Sequence, residues 1–305
     1  MTESRHSFQG KPIGAGRAQT ATDVGVVVVT FRSAQTIRHC LELLLASDAV
    51  VRIVVVDNAS DDGTLALLDQ IAGEQERITL VKNADNRGFA AACNQGSSAL
   101  ATPWVAFVNP DCYVEPEAML RLVLYGIDRA GAGMIGADLV DEDGVPDPAA
   151  RRRDPSLREL LGQAGRRRDL YLGRDPNMDL QQVEAISGAL MLMPLGLFLQ
   201  LGGFDEAFRL HVEDLDLCRR TREAGYEVLG GDGSEGHLVH GIRLGPVQLD
   251  DAPRWHPPAL QMRPDAERHH ERTILQGDEL FDRSHVEVVV VVMADDHRRD
   301  RGQVT

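Results

Sequence analysis

With 305 residues, 43% of them hydrophobic, the chain has enough apolar material for one large core or two small ones. Its formal net charge of −15 excludes a protein whose whole surface binds nucleic acid, and no nucleic-acid partner is expected. The four cysteines (Cys40, Cys93, Cys112, Cys218) are far apart and form no C-x-x-C pair, so reduced thiols in a cytoplasmic protein are expected rather than a disulfide framework or a zinc site.

Residues 1–22 are polar and glycine-rich without the apolar stretch of a secretory signal, and read as a flexible N-terminal segment. Order is expected from Val24, where Val24 to Val29 is a short β-branched run suited to a strand buried on both faces. Ser33 is placed to cap a helix with Ile37, Cys40, Leu41, Leu44 and Leu45 on one side. A second strand, Ile53 to Val56, ends at Asp57-Asn58. A helix follows from Thr64, with Leu65, Leu68 and Ile71 inward. A third strand (Ile78 to Val81), a small-residue helix (about Gly88 to Leu100) and a fourth strand (Trp104 to Val108) complete the first half. This alternation predicts a mainly parallel α/β sheet flanked by helices, whose ligands bind at the carboxyl ends of the strands. Polar clusters sit at those ends: Thr30-Phe31-Arg32, Asp57-Asn58, Asn83 to Arg87 and Asn109-Pro110-Asp111.

The second half is less regular. Ala132 to Val140 reads as a strand closed by a turn at 141–144, and residues 146–182 read as an arginine-rich excursion. Val183 to Met193 reads as one apolar strand, Glu213 to Ala224 as a helix ended by Gly225, and Tyr226 to Leu229 as a last core strand. The longest apolar run, Ile186 to Phe204, is broken by Pro194 and glycines and is too short for a membrane span. Any work on a membrane is therefore expected from the surface, peripherally at the inner face of the cell membrane. The folded domain is expected over 23–245, followed by a divergent, partly disordered extension over 246–305 with a strand-like Val286 to Val292.

Four segments of the first half are recognisable: Val-Val-Thr-Phe-Arg-Ser (28–33), Val-Val-Asp-Asn-Ala-Ser-Asp-Asp-Gly-Thr (55–64), Asn-Arg-Gly-Phe-Ala-Ala-Ala-Cys-Asn-Gln-Gly (86–96) and Phe-Val-Asn-Pro-Asp (107–111). Three follow later: Ser-Gly-Ala-Leu-Met-Leu (187–192), Gly-Gly-Phe-Asp-Glu (202–206) and Glu-Asp-Leu-Asp-Leu-Cys-Arg-Arg (213–220). Taken in this order over about residues 23–241, they resemble family 2 glycosyltransferases of the GT-A fold, and within them the bacterial rhamnosyltransferase branch of cell-wall and polysaccharide synthesis. Each motif alone is weak; the ordered set is specific.

The resemblance implies an inverting transfer from a dTDP- or UDP-linked sugar, with dTDP-rhamnose favoured, to a lipid-linked or glycan acceptor. It implies a divalent metal, Mg or Mn, because the departing diphosphate must be neutralised. Asp111 would ligate that metal. Asn109 stands where the family's Asp-x-Asp motif has its first Asp and would be a polar contact to the donor. An Asn-Pro-Asp turn is the plain alternative. His240, followed by Gly241, is similar to the family's C-terminal histidine ligand, with His237 three residues earlier as a rival. Thr30, Arg32 and Asp57 would face the donor, although Asp57 could instead close an Asx-turn onto Ser60 or Asp61. Arg87 and Gly88 would border the donor, while Asn86 and Asn94 serve as well to tie loops together.

Asp214 would be the general base, with Glu213 and Asp216 its nearest rivals; three acids in a helix's first turn also suit its dipole. Gly188, Glu213 and Asp216 would line the acceptor side, and Gly203-Phe204-Asp205 would lie near it or serve packing alone. Arg151 to Arg153 and Arg166 to Arg168 flank Leu157, Leu160 and Leu161. That pattern fits docking on anionic headgroups or on a polyprenyl-diphosphate acceptor, or else a solvated loop. Two other classes can be compared. A nucleotidyltransferase or dinucleotide-binding enzyme needs a glycine-rich loop after the first strand, and Thr30-Phe31-Arg32-Ser33 stands there instead. A non-catalytic nucleotide-sugar-binding homologue is favoured by Asn109 and the unfamiliar tail, and disfavoured by retention of Asp111, Asp214 and His240.

Overall fold

The computed structural model describes residues 18–141, 145–154, 171–175, 177–208 and 212–231, together with the backbone of three short strands beyond residue 231. The chain divides into two compact units: Met1–Asp154 with Asp169–Val247, and Pro155–Arg168 with Gln248–Thr305.

In the first unit the elements run β1 (Val24–Thr30), α1 (Ile37–Ala46), β2 (Val50–Asp57), α2 (Thr64–Glu74), β3 (Ile78–Lys82), α3 (Phe89–Ser97), β4 (Trp104–Val108), β5 (Cys112–Val114), α4 (Pro116–Asp128) and β6 (Ala132–Ala137). They continue with β7 (Arg151–Arg152), β8 (Leu180–Val183), β9 (Ala185–Ile186), β10 (Leu190–Pro194), α5 (Leu195–Gln200), α6 (Glu213–Glu223), β11 (Glu227–Gly231) and β12 (Ile242–Leu244). Eight strands form one sheet in the order β3-β2-β1-β4-β10-β6-β11-β8. β1 pairs in parallel with β2 and β4, β2 with β3, and β6 with β11, while β10 and β8 run against their neighbours. This is the mixed, mainly parallel α/β sheet that the strand–helix alternation predicts.

The period-two alternation of each strand sorts its side chains between two cores. Val24, Val26 and Val28 of β1 and Ile53 and Val55 of β2 pack with α1, α2 and α4 on one face. Val27, Val29, Val54 and Val56 pack with α3, α5 and α6 on the other, around a Phe107, Phe198 and Phe204 cluster. Helix α3 can lie close to the sheet because it is built of small residues: a Cβ on Gly96 would stand 2.5 Å from Val27 Cγ1. The approach brings the loop before α3 to the carboxyl ends of β1 and β2.

Several local expectations are corrected. Ser33 does not cap α1; the cap position is Thr36, and Ser33 contributes its backbone carbonyl to the Ile37 N–H at 3.0 Å. Val183 to Met193 is not one strand. It is β8, β9 and β10, broken at Glu184 and at Ser187-Gly188-Ala189, because the chain must turn to run antiparallel to β4. β6 stops at Ala137, with Val140 paired to Pro146 in an isolated bridge. Leu65 is only half-buried, whereas Leu45, also half-buried, packs against the same core as the rest of its helix face, as expected. The helix α4 was not anticipated, although Pro116 at its start and Ala118, Met119, Leu122 and Val123 on its buried side carry the signal.

In the second unit, β13 (Arg272–Leu275) pairs antiparallel with β14 (Val290–Met293).

Candidate active site

Thr30 and Asp57 end adjacent strands, β1 and β2, in register. Both are buried. The Thr30 hydroxyl donates to Asp57 Oδ2 at 3.0 Å, and Ser60 donates through its N–H to Oδ1 at 3.0 Å and through its hydroxyl to Oδ2 at 2.6 Å. The Asx-turn onto Ser60 is thus formed. A carboxylate has about four lone-pair sites, so one remains on Oδ1 for a further donor. Arg32 has a left-handed backbone (φ 53), gives its N–H to the Ser60 hydroxyl and pairs bidentately with Asp61 at 2.7 and 3.0 Å. Those hydrogen bonds hold the Asp61 carboxyl below its usual range, but the pair is solvent-exposed and adds little stability.

The loop before α3 is knitted to the same rim. Asn58 donates to the Gly88 carbonyl at 3.2 Å and accepts from Asn83 at 2.9 Å, and the Gly88 N–H donates to Asn86 Oδ1. Gly88 itself has φ 87, outside the range of most side chains, and Arg87 is exposed. Asn94 serves packing: its amide exchanges bonds with the Phe204 N–H and carbonyl at 2.9 Å each.

At the end of β4 the Asn109 carbonyl accepts from the Cys112 N–H at 3.0 Å, so the Asn-Pro-Asp turn is present. Asp111 projects from it half-buried. Its carboxylate has no cationic partner among the described residues, and burial holds the carboxyl above its usual range, only partly offset by its own backbone N–H. A dication is what such a group fits. No cluster of three His, Cys, Asp or Glu able to hold a metal occurs among the described residues; His237 and His240 lie outside them. The thiols of Cys40 and Cys112, buried beneath this loop, are pushed up by burial and by Asp111, and all four cysteines are free.

The Asn109 N–H donates to the Ala189 carbonyl at 3.0 Å, and Leu190 stands opposite Val108. The next link is the Gly188 N–H, which donates to Asp214 Oδ2 at 3.0 Å. Through these two bonds the start of α6 is joined to the β4 rim. Asp214 Oδ1 accepts from the Leu215 N–H at 2.8 Å, and Oδ2 also accepts from Arg152 Nη2. Glu213 is buried, 7% exposed, and its Oε2 meets no donor among the described residues. Burial, with the Asp214 charge beside it, pushes its carboxyl up to about 7. Val212, just before it, is β-branched at φ 74, a conformation that costs about 1–3 kcal/mol. The three non-glycine residues at positive φ among those described, Arg32, Ala59 and Val212, all border this rim.

Asp216 pairs with Arg220 at 2.7 Å one turn on, as i,i+4 spacing favours. One expectation is corrected. Arg151 and Arg152 do not face solvent or lipid. Arg151 is 2% exposed and holds Asp138 bidentately at 2.7 and 2.9 Å, with Gln181 Oε1 at 2.7 Å. Arg153 is half-buried, with an Nε that has no acceptor among the described residues, and Arg166 to Arg168 lie outside them. No helix among the described residues is long and apolar enough to cross a membrane. The residue missed at this site is Arg152. It stands 62 residues from Asp214 in a segment read as a basic excursion, so no local pattern pointed to the pair.

A mainly parallel sheet with a carboxylate turn after β4 and an acidic helix start facing the same rim defines a GT-A glycosyltransferase fold. Solved structures agree: a mannosyltransferase from Pyrobaculum calidifontis in complex with GDP-Man and Mn2+ superimposes with a TM-score of 0.51 at 19% identity over 70% of this chain and 57% of its own. GalNAc-T7 with UDP, GalNAc and Mn2+ does so with a TM-score of 0.56 at 16% identity over 73% and 44%. Residues 25–193 match the model of glycosyl transferase family 2, and the chain belongs to that family. The N-acetylglucosaminyl-diphospho-decaprenol L-rhamnosyltransferase of Mycobacterium tuberculosis is 28% identical over 67% of this chain and 72% of its own length. The succinoglycan biosynthesis protein ExoO of Rhizobium meliloti is 37% identical over 40% and 35%. The chain thus spans about a third of ExoO and about half of the structural neighbours.

Proposed function

We propose that this family 2 glycosyltransferase is an inverting enzyme that transfers a hexosyl group, rhamnose from dTDP-rhamnose being the first choice, to a lipid-linked sugar. The observation that carries the reading is the placement of Asp214 beside the Gly188–Ala189 turn, one hydrogen bond away from the Asn109–Asp111 rim. The lipid-linked acceptor rests on the diphospho-decaprenol relative. An enzyme acting on it would work at the membrane surface.

Thr30 and Asp57 line the nucleoside end of the donor, with Asp57 Oδ1 free to accept from a pyrimidine N–H. Gly88 and Arg87 border the donor, and Arg32 keeps the Ser60 loop in place. Asp111, with Asn109 beside it and His240 or His237 as the expected further ligand, would hold a divalent ion, which supplies neutralisation of the leaving diphosphate when bound. The acceptor hydroxyl attacks the anomeric carbon from the side opposite the diphosphate. Its proton passes to Asp214, while the anomeric C–O bond to phosphate breaks and the electron pair leaves with the diphosphate.

A second reading makes Glu213 the base. Its buried, unpartnered Oε2 and a carboxyl near 7 favour it, whereas Asp214 is engaged by Arg152. The test is nucleoside diphosphate release from a donor panel with Mn2+, with and without polyprenyl-diphosphate sugars, in wild type, Asp214→Asn and Glu213→Gln. Transfer lost in Asp214→Asn alone supports the first reading. Transfer lost in Glu213→Gln alone supports the second. No transfer from any donor rejects both.

A further inference from the structure

Resting on the reading of Asp214 as base, we infer that Arg152 is a positioning residue that fixes the Asp214 carboxylate and designates Oδ1 as the atom that takes the acceptor proton. Asp214 Oδ2 receives two donors, the Arg152 guanidinium and the Gly188 N–H, which fill its lone pairs. Oδ1 receives only the Leu215 N–H and keeps one lone pair. With three donors set around it, the carboxylate plane cannot rotate without breaking at least one charge-assisted bond.

The arginine is itself held at several points. Arg152 pairs with Ala185 in the β7–β9 ladder, and its Nη2 also donates to the Ile186 carbonyl at 2.6 Å. On one side, Arg151 is locked onto Asp138 and Gln181. On the other, Asp154 is gripped by Arg219 and Arg222 of α6, the helix that carries Asp214, and its N–H bonds Glu184 Oε2 at 2.9 Å. The segment 151–154 therefore ties β6, β8, β9 and α6 into one frame around the carboxylate.

Stability alone does not account for the arrangement. Arg152 Nε is buried with no acceptor among the described residues, which is a cost, and a buried ion pair is a weak stabiliser compared with apolar packing. What the contacts provide is orientation. A planar guanidinium can bond a carbonyl and a carboxylate together from one nitrogen, whereas a lysine offers a mobile point charge.

The experiment is a double-mutant cycle on the full chain with Arg152→Gln, Asp214→Asn and the double variant, plus Arg152→Lys. It reads kcat and KM for dTDP-rhamnose transfer to a polyprenyl-diphosphate N-acetylglucosamine, dTDP affinity, and thermal midpoints. Arg152→Gln should lower kcat about 10- to 100-fold, as expected for a reacting group misplaced by about an ångström, with both KM values and dTDP affinity within about threefold of wild type. Arg152→Lys should recover part of the loss. In the Asp214→Asn background, removing Arg152 should cost no further activity, and the thermal shifts should be non-additive. An unchanged kcat in Arg152→Gln, a full second loss in the double variant, or additive thermal shifts would each overturn the inference. Wild-type protein that turns over no donor overturns it together with the reading it rests on. Full activity in Asp214→Asn overturns the base assignment first, and this inference with it.

Discussion

Replacing Glu213 by Gln should stabilise the protein progressively as pH rises. Glu213 is buried with an unpartnered Oε2, and its carboxyl is pushed from 4.5 to about 7 in the folded chain. A carboxyl raised in this way binds its proton more tightly folded than unfolded. Between the two values the unfolded state is the more ionised, so unfolding releases a proton and stability falls as pH increases. That displacement corresponds to about 3 kcal/mol lost by pH 8, most of it between pH 5 and pH 8. Glutamine keeps the shape and carries no charge, so it escapes that loss. Urea denaturation of wild type and Glu213→Gln at unit steps from pH 5 to pH 8 reads it directly. The gap between them should be under about 1 kcal/mol at pH 5 and widen to about 3 kcal/mol at pH 8. A gap that stays constant across the range would refute the assignment of a raised Glu213 carboxyl.

Three further outcomes follow from the same geometry. Asp214→Asn should lower transfer by about 10²- to 10⁴-fold while leaving donor affinity near wild type, checked by kinetics and by nucleotide titration. Asp111→Ala should abolish the dependence of donor affinity on Mn2+ or Mg2+, read by titrating the donor with and without metal; a metal effect of wild-type size would remove Asp111 from the metal assignment. Arg151→Met should destabilise the fold by about 2–3 kcal/mol in chemical denaturation, because Asp138 loses both guanidinium hydrogen bonds and keeps, among the described residues, only the more distant Arg174 at 3.7 Å. A loss below about 1 kcal/mol would mean that the pair is not buried in solution.

The rim of polar residues at the strand ends was legible because strand periodicity and the βα alternation place Thr30, Asp57, Gly88 and Asn109 at the carboxyl ends of parallel strands whatever the details of packing. The same holds for Glu213 and Asp214 at the start of α6, whose apolar spacing and terminating Gly225 mark the helix. The roles of the second-half arginines were not legible. Arg151 and Arg152 belong to a two-residue strand with no period of its own, and their partners Asp138 and Asp214 lie 13 and 62 residues away. A run of arginines looks like a basic surface patch until the fold shows which carboxylates turn toward it. Asp216 is the converse case: its partner Arg220 lies four residues on, so helix spacing alone sets that pair.

The sequence by itself determined the fold class, the family and the rim on which chemistry-bearing residues stand, because local periodicity and motif order do not depend on long-range geometry. Only the tertiary structure decided which carboxylates are free. Among the described residues Asp111 has no cationic partner and Glu213 Oε2 meets no donor, three hydrogen bonds engage Asp57, and one arginine turns inward onto Asp214. Charge pairing in a folded chain is set by which side chains share a desolvated volume, and that volume is assembled from segments far apart in sequence.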